Sequence, residues 1–211
     1  GVVVLGQARI NKAVNAAGDA AVPKYEVYEG LEDIQINGQY VHRFGGSNDD
    51  DNSGVLRYVS IRHGGQRLSP DKEINGLSLG GVGRGTVIEN VEVLSFADDG
   101  FEFFGGSVNT KYLVSAFNDD DAFDTDMGWN GKNQFWFGLQ SNDRRDNGSE
   151  QNGEPNERND GTGVPAATYE IYNATLIGAG AASGGTANNH AMLFRRYNQA
   201  GWYNSIFTDF N

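Results

Sequence analysis

Asp98-Asp99-Gly100-Phe101-Glu102-Phe103 is answered by Asp120-Asp121-Ala122-Phe123-Asp124-Thr125, with Phe101 and Phe123 standing 22 positions apart. A period in the low twenties is that of a solenoid, in which each repeat is one turn of a coil stacked on the next. Strands of successive coils lie about 4.8 Å apart. Asp98 then sits over Asp120, Asp99 over Asp121 and Glu102 over Asp124, and like charge at that spacing requires a counterion.

Two ladders of short apolar segments extend the repeat in both directions. One runs through Tyr58-Val59-Ser60-Ile61, Val91-Glu92-Val93-Leu94, Leu113-Val114-Ser115-Ala116 and Phe135-Trp136-Phe137, with steps read as 22, and resumes at Ala174-Thr175-Leu176-Ile177 and Ser205-Ile206-Phe207. The other is Asn75-Gly76-Leu77, Asp99-Gly100-Phe101, Asp121-Ala122-Phe123 and His190-Ala191-Met192. Alternation along each segment puts every second side chain inside. Leu77, Phe101, Phe123 and Met192 are the expected interior column, each preceded by a small residue suited to a tight corner. The polar stretches at 48–52 and 141–162 hold no such pattern. The second is expected to be a loop projecting from the coil.

The chain has 211 residues, 30 of them Gly, four Pro and no Cys, with a formal charge of -12. That length suits one domain over 1–211, and the Gly-punctuated triplets suit an all-β chain with many turns. Nucleic acid is excluded as a partner by the acidic balance. Disulfides and thiolate zinc sites are excluded by the missing Cys. No stretch reaches the length of a transmembrane helix, and the opening Gly1-Val2-Val3-Val4-Leu5-Gly6 is too short for a signal peptide. The chain reads as a segment of a longer precursor, because strand-like sequence stands at both of its ends where a solenoid normally carries caps.

With these ladders the sequence resembles right-handed parallel β-helix proteins of pectate-lyase-like fold, and within them a group of secreted bacterial proteins carrying this acidic repeat. The matching phrases are Asp51-Asn52-Ser53-Gly54-Val55-Leu56-Arg57-Tyr58-Val59, Glu73-Ile74-Asn75-Gly76-Leu77-Ser78-Leu79-Gly80-Gly81-Val82-Gly83, Ala97-Asp98-Asp99-Gly100-Phe101-Glu102-Phe103-Phe104-Gly105-Gly106 and Asp119-Asp120-Asp121-Ala122-Phe123-Asp124. The resemblance implies an all-β, right-handed parallel β-helix with polar loop insertions, in a secreted or cell-surface protein. A looser resemblance is to calcium-dependent polysaccharide lyases of the same fold, whose activity needs a Lys or Arg beside the calcium. Lys132 and Lys111 are the nearby Lys residues in sequence, and neither lies in a phrase that matches the catalytic one.

The candidate metal ligands are Asp98, Asp99, Glu102, Asp119, Asp120, Asp121, Asp124 and Asp126. Calcium takes six to eight oxygen ligands in irregular geometry, which suits stacked acidic turns; the alternative is a solvated acidic ridge with raised carboxylate pKa values. The ion is expected to be structural. Asp49, Asp50, Asp51 and Asn52 read as a solvated loop, and His42, His63 and His190 as hydrogen-bonded corner residues. Trp129, in the turn Met127-Gly128-Trp129-Asn130-Gly131, is expected to be exposed, either as a sugar-stacking platform or as a lid over the coil edge. Gly80-Gly81-Val82-Gly83-Arg84-Gly85 is no phosphate loop, since no helix and no Lys-Ser/Thr follow it. Two functions stay open: a calcium-stabilised structural or binding protein, with polysaccharide or its own coil ends as partner, and a calcium-dependent enzyme acting on acidic polysaccharide.

Overall fold

The computed structural model describes residues 1–65, 67–69, 72–180 and 190–210. There is no helix among them, and so none long and apolar enough to cross a membrane. Every coil contributes one short strand to a six-stranded parallel sheet. The short strands are Val2–Leu5, Leu77–Gly80, Phe101–Phe104, Phe123–Asp126, Ser149–Asn152 and Leu193–Arg195, in that order. The second sheet is built by Val55–Arg62, Val87–Leu94, Thr110–Ala116, Lys132–Leu139, then Glu170–Tyr172 with Thr175–Ile177, and last Gly201–Tyr203 with Ile206–Thr208. All these pairings are parallel and in coil order, which makes the molecule a parallel β-helix.

A second device divides the long strands into two faces. Tyr58, Asn90, Tyr112, Phe135, Asn173 and Asn204 occupy one column of the second sheet, and each has a positive φ between 49° and 61°. A left-handed residue turns the chain, and repeating it at the same place in successive coils stacks the turns into one continuous corner. Such a conformation costs a non-Gly residue about 1–3 kcal/mol. Parallel pairing on both sides of the corner holds it.

Phe101 and Phe123 are buried register partners with rings stacked 5.4 Å apart, as the 22-residue step requires. The step is not uniform, however. Thr110 pairs with Ile88 at 22 residues but with Asn133 at 23, so that Leu113 faces Trp136 where the even period pairs Val114 with it. Phe104 pairs with Asp126, which places the extra residue between Asp126 and Asn133, in the turn that carries Trp129.

That turn also corrects the expectation for Trp129, which is fully buried. Its ring lies 3.9 Å from Phe103 and 4.6 Å from Tyr169, and its Nε1 donates to the Val108 carbonyl at 3.2 Å. With the extra residue and Gly128 at φ +78°, the turn directs the indole into the coil, where it completes an aromatic stack with Phe103, Phe123 and Trp136. Burying each large apolar side chain stabilises the coil by roughly 1.5–3 kcal/mol. Trp129 is neither a sugar platform nor an exposed lid.

The polar stretch 141–162 is not a projecting loop either. Ser149–Asn152 is a strand, paired with Phe123–Thr125 on one side and with Leu193–Arg195 on the other. Ser149 takes the place after Phe123 in the interior column, ahead of Met192. Gln151 points inward as well, and its Oε1 accepts the Tyr169 hydroxyl at 2.6 Å and Trp202 Nε1 at 3.1 Å. Buried polar groups are tolerated when their hydrogen bonds are made. Past this strand, the buried Glu154 carboxylate accepts the backbone N–H groups of Asp160, Gly161 and Gly163 and draws the segment back onto the coil.

Residues 7–54, between the two strands of the first coil, make the longest excursion. They run alongside later coils, where Asn11 donates from its backbone to Met127 and from its side chain to Gly153 and Pro165. Ile10, Tyr28, Phe44 and Phe104 form a small second core beneath this excursion, outside the first sheet.

Candidate metal centre

Two columns of side chains generate the site. The corner before the first sheet stacks Asn75, Asp99, Asp121 and Asn147, joined by backbone bonds from Gly76 to Asp99, Gly100 to Asp121 and Ala122 to Asn147. Asp99 Oδ1 accepts the backbone N–H of Asp121 at 2.9 Å, and Asp121 Oδ1 accepts both the backbone N–H and the Nδ2 of Asn147. The second column is the first outward position of the sheet: Ser78, Glu102, Asp124 and Glu150 in register. Glu102 over Asp124 is the pairing the repeat required.

The columns converge. Carboxylate oxygens of Asp99, Glu102 and Asp124 lie within 4.8 Å of one another, as do those of Asp121, Asp124 and Glu150. At the outer corner the same holds for Asp98, Asp99 and Asp120, and for Asp120, Asp121 and Asp146. Six of the eight expected ligands are therefore gathered: Asp98, Asp99, Glu102, Asp120, Asp121 and Asp124. Asp119 instead pairs with Arg144 at 2.9 Å on the surface. Asp126 accepts its neighbour Met127's N–H at the next outward position and joins none of these groups.

Asp146 and Glu150 are the additions that the sequence reading missed, because they lie in the stretch taken for a loop. A signal was present. Asn147-Gly148 has the polar-then-Gly form of Asn75-Gly76 and Asp99-Gly100, and marks the same corner one coil later.

Burial dominates the electrostatics. Asp99, Glu102, Asp121 and Asp124 are each pushed well above the ordinary carboxylate range, first by loss of water and then by their acidic neighbours. Among the neighbours, Asp121 acts on Asp99, Asp99 on Glu102, Asp120 on Asp121 and Glu102 on Asp124. Asp126 is pushed up to about 6, again mainly by burial. Arg195 binds Glu150 at one end of the outward column, and toward the other end Lys72, itself paired with Glu29, is electrostatically coupled to Glu102. Asn75 Nδ2 donates to Glu102 at the other end.

Glu102, Asp124, Asp126 and Glu150 form one wall of a cleft of about 440 Å³, roofed by Glu29 and Phe44 of the long excursion. Arg195 and Arg196 line the same cleft. Lys111 and Lys132 do not: they lie on the outer surface of the second sheet, in a different groove, and Lys132 pairs with Glu170 at 3.3 Å. The two lysines nearest in sequence are thus removed from the acidic columns, because the coil turns through a corner between Asp126 and Lys132.

The remaining expectations fall at the surface. Asp49 is held by Arg9, and Asp50 by Arg84 at 3.0 Å. His42 bonds the Glu32 carbonyl at 2.7 Å, His190 bonds Asn147 Oδ1 at 2.9 Å, and His63 sits at a corner with φ 56°.

No curated protein matches the chain, and no solved structure matches it. A family described as the pectate-lyase like beta helix domain matches residues 1–211, in agreement with the stacked parallel coils, and the chain belongs to that family.

Proposed function

We propose that the chain is a secreted or cell-surface β-helix that binds calcium in its acidic columns and holds a saccharide in the adjoining cleft. The observation that carries this reading is the convergence of Asp99, Glu102, Asp121, Asp124 and Glu150 from three successive coils. Two like charges about 4 Å apart repel by roughly 4 kcal/mol at a protein-surface dielectric. Several such contacts in one partly buried column favour either shared protons or a divalent cation. The donor set is all oxygen, in overlapping triplets on a rigid sheet, which fits calcium better than a softer metal. An extracellular setting supplies the calcium concentration at which moderate-affinity sites of this kind fill.

The cleft supports the saccharide. Its acidic wall offers acceptors to hydroxyl groups, while Arg195 and Arg196, on the next coil at the end of that wall, offer donors. A uronate carboxylate could bridge the cation and an Arg. The presence of both arginines favours a second reading, a calcium-dependent lyase, in which an Arg of the cleft takes the basic role that neither Lys111 nor Lys132 is placed to fill.

Affinity electrophoresis through gels containing polygalacturonate, with and without calcium, tests the proposal. Retardation that needs calcium and is lost in Asp124→Asn supports it; equal mobility in all gels contradicts it. Incubation with the same polymer separates the two readings, since ultraviolet absorbance from an unsaturated product appears only for the lyase.

A further inference from the structure

We propose that the outer face of the second sheet, beyond its left-handed corner, is a two-fold interface whose partner is a second copy of this chain. Its centre lies on the inner coils, at Val114 and Phe137, and the inference is independent of the metal site on the first sheet.

The strands change character at the corner. Before it, the outward positions are polar, with Glu89, Lys111 and Gln134 in one column. Beyond it, Leu113-Val114-Ser115-Ala116-Phe117 and Trp136-Phe137-Gly138-Leu139 run on without a charged residue. A sheet with one face in water alternates apolar with polar, whereas a continuous apolar run belongs to a strand covered on both faces. The coil interior covers Leu113 and Trp136. On the other side Val114, Phe137, Leu139 and Ile177 are only half-buried, and Tyr112, Phe117 and Phe135 at the borders are 45%, 42% and 38% exposed. Apolar residues exposed singly are ordinary, but a contiguous patch marks a contact surface. Tyr112 and Phe135 stack on each other at 5.0 Å from coil to coil, so that outward they present ring edges, which suit a protein surface better than a sugar.

Charge selects a copy of the same chain. Among the outward residues of this face only Glu92 and Arg62 are charged, and they pair with each other at 2.6 Å. Two copies therefore approach here without the like-charge repulsion that a formal charge of -12 imposes on other sides.

The register then states which residues meet. One outward column runs Glu92, Val114, Phe137, Thr175, and the next Leu94, Ala116, Leu139, Ile177. A two-fold axis lying along the strands, between the coils of Val114 and Phe137, reverses the coil order and keeps the position along the strand. Val114 then faces the second copy's Phe137 and Ala116 its Leu139, a small residue against a large one in each case. Leu94 faces Ile177, and Glu92 faces the Thr175 hydroxyl. A hollow of about 340 Å³ beside Val114, lined by Asn90, Glu92, Tyr112 and Phe135, receives the opposing Phe137 ring. At the rim Arg62 comes over Thr208, next to Asp209, so that opposite charges meet at both ends of the contact. Aligned sheets pack face to face in this way at about 10 Å.

Sedimentation of the unmodified chain over a range of concentrations should show an equilibrium that stops at the dimer, because a two-fold contact closes on itself. Phe137→Lys and Val114→Lys, each checked for folding by circular dichroism, place a charge at the centre of the face and should weaken the dimer by about tenfold or more. Gln134→Lys, on the polar side of the corner, should leave it unchanged. The chain has no Cys, so a disulfide reads the register. Leu94→Cys and Ile177→Cys, mixed and oxidised, should form a linked heterodimer. Either variant alone should form none, since its own two copies place the thiols three coils, about 14 Å, out of line. A chain that stays monomeric at every concentration, a dimer that both Lys variants leave intact, or a disulfide formed as readily by one variant with itself overturns the proposal.

Discussion

Asp124 stands between Glu102 and Glu150 and contacts both acidic triplets of the outward column. Its carboxyl is pushed well above the ordinary range, so without a cation its ionisation opposes folding. Asp124→Asn should therefore raise the melting temperature of chelator-treated protein while reducing the gain that calcium gives. Thermal unfolding followed by circular dichroism in both conditions checks the pair of signs. A simple solvated ridge would show the first effect weakly and the second not at all. Trp129 gives the opposite pattern. Its indole fills the coil interior between Phe103 and Tyr169, so Trp129→Ala should cost about 3–5 kcal/mol in urea unfolding and leave calcium affinity per folded molecule unchanged. A lost affinity with intact stability would return the residue to the ligand site.

At the scale of the strand and the turn, the stacked left-handed corner is the feature most open to test. Asn tolerates that conformation better than most residues, and a β-branched side chain tolerates it poorly. Asn90→Val, at φ 55°, should destabilise by about 1–3 kcal/mol in denaturant unfolding, whereas the same change at an extended outward position such as Gln134 should be near neutral. Elements built from apolar alternation were legible in the sequence: Val87–Leu94, Thr110–Ala116 and Phe101–Phe104 all fall where the ladders put them. Ser149–Asn152 was not legible, because its inward residues are polar: Gln151 is satisfied by Tyr169 and Trp202, partners distant in sequence, and in turn donates to Ser149. Six of the eight carboxylates gathered at the site followed from the repeat itself. Asp146 and Glu150 were lost with that strand, and Trp129 was misplaced by the one residue that lengthens its turn.

Over the whole molecule, the raised carboxylates set a pH dependence whose sign is opposite to ordinary acid denaturation. For a carboxyl raised in the folded state, the stabilisation is present in full below its unfolded value and disappears as pH rises through the folded one. Asp126, at about 6, and the four carboxyls pushed well above the ordinary range act together in this direction. Chelator-treated protein should thus melt at lower temperature at pH 8 than at pH 5. Calcium should flatten that slope, since an ion bound only by the folded state adds about 2.7 kcal/mol at a hundred times its Kd. A melting curve independent of pH in chelator would leave the columns without electrostatic strain. The most direct measurement is calorimetric titration of the chelator-treated chain with calcium at neutral pH. The account predicts a saturable heat with proton release, abolished when Asp99→Asn and Asp124→Asn are combined; no heat in the unmodified chain, or the same heat in that double variant, would contradict it.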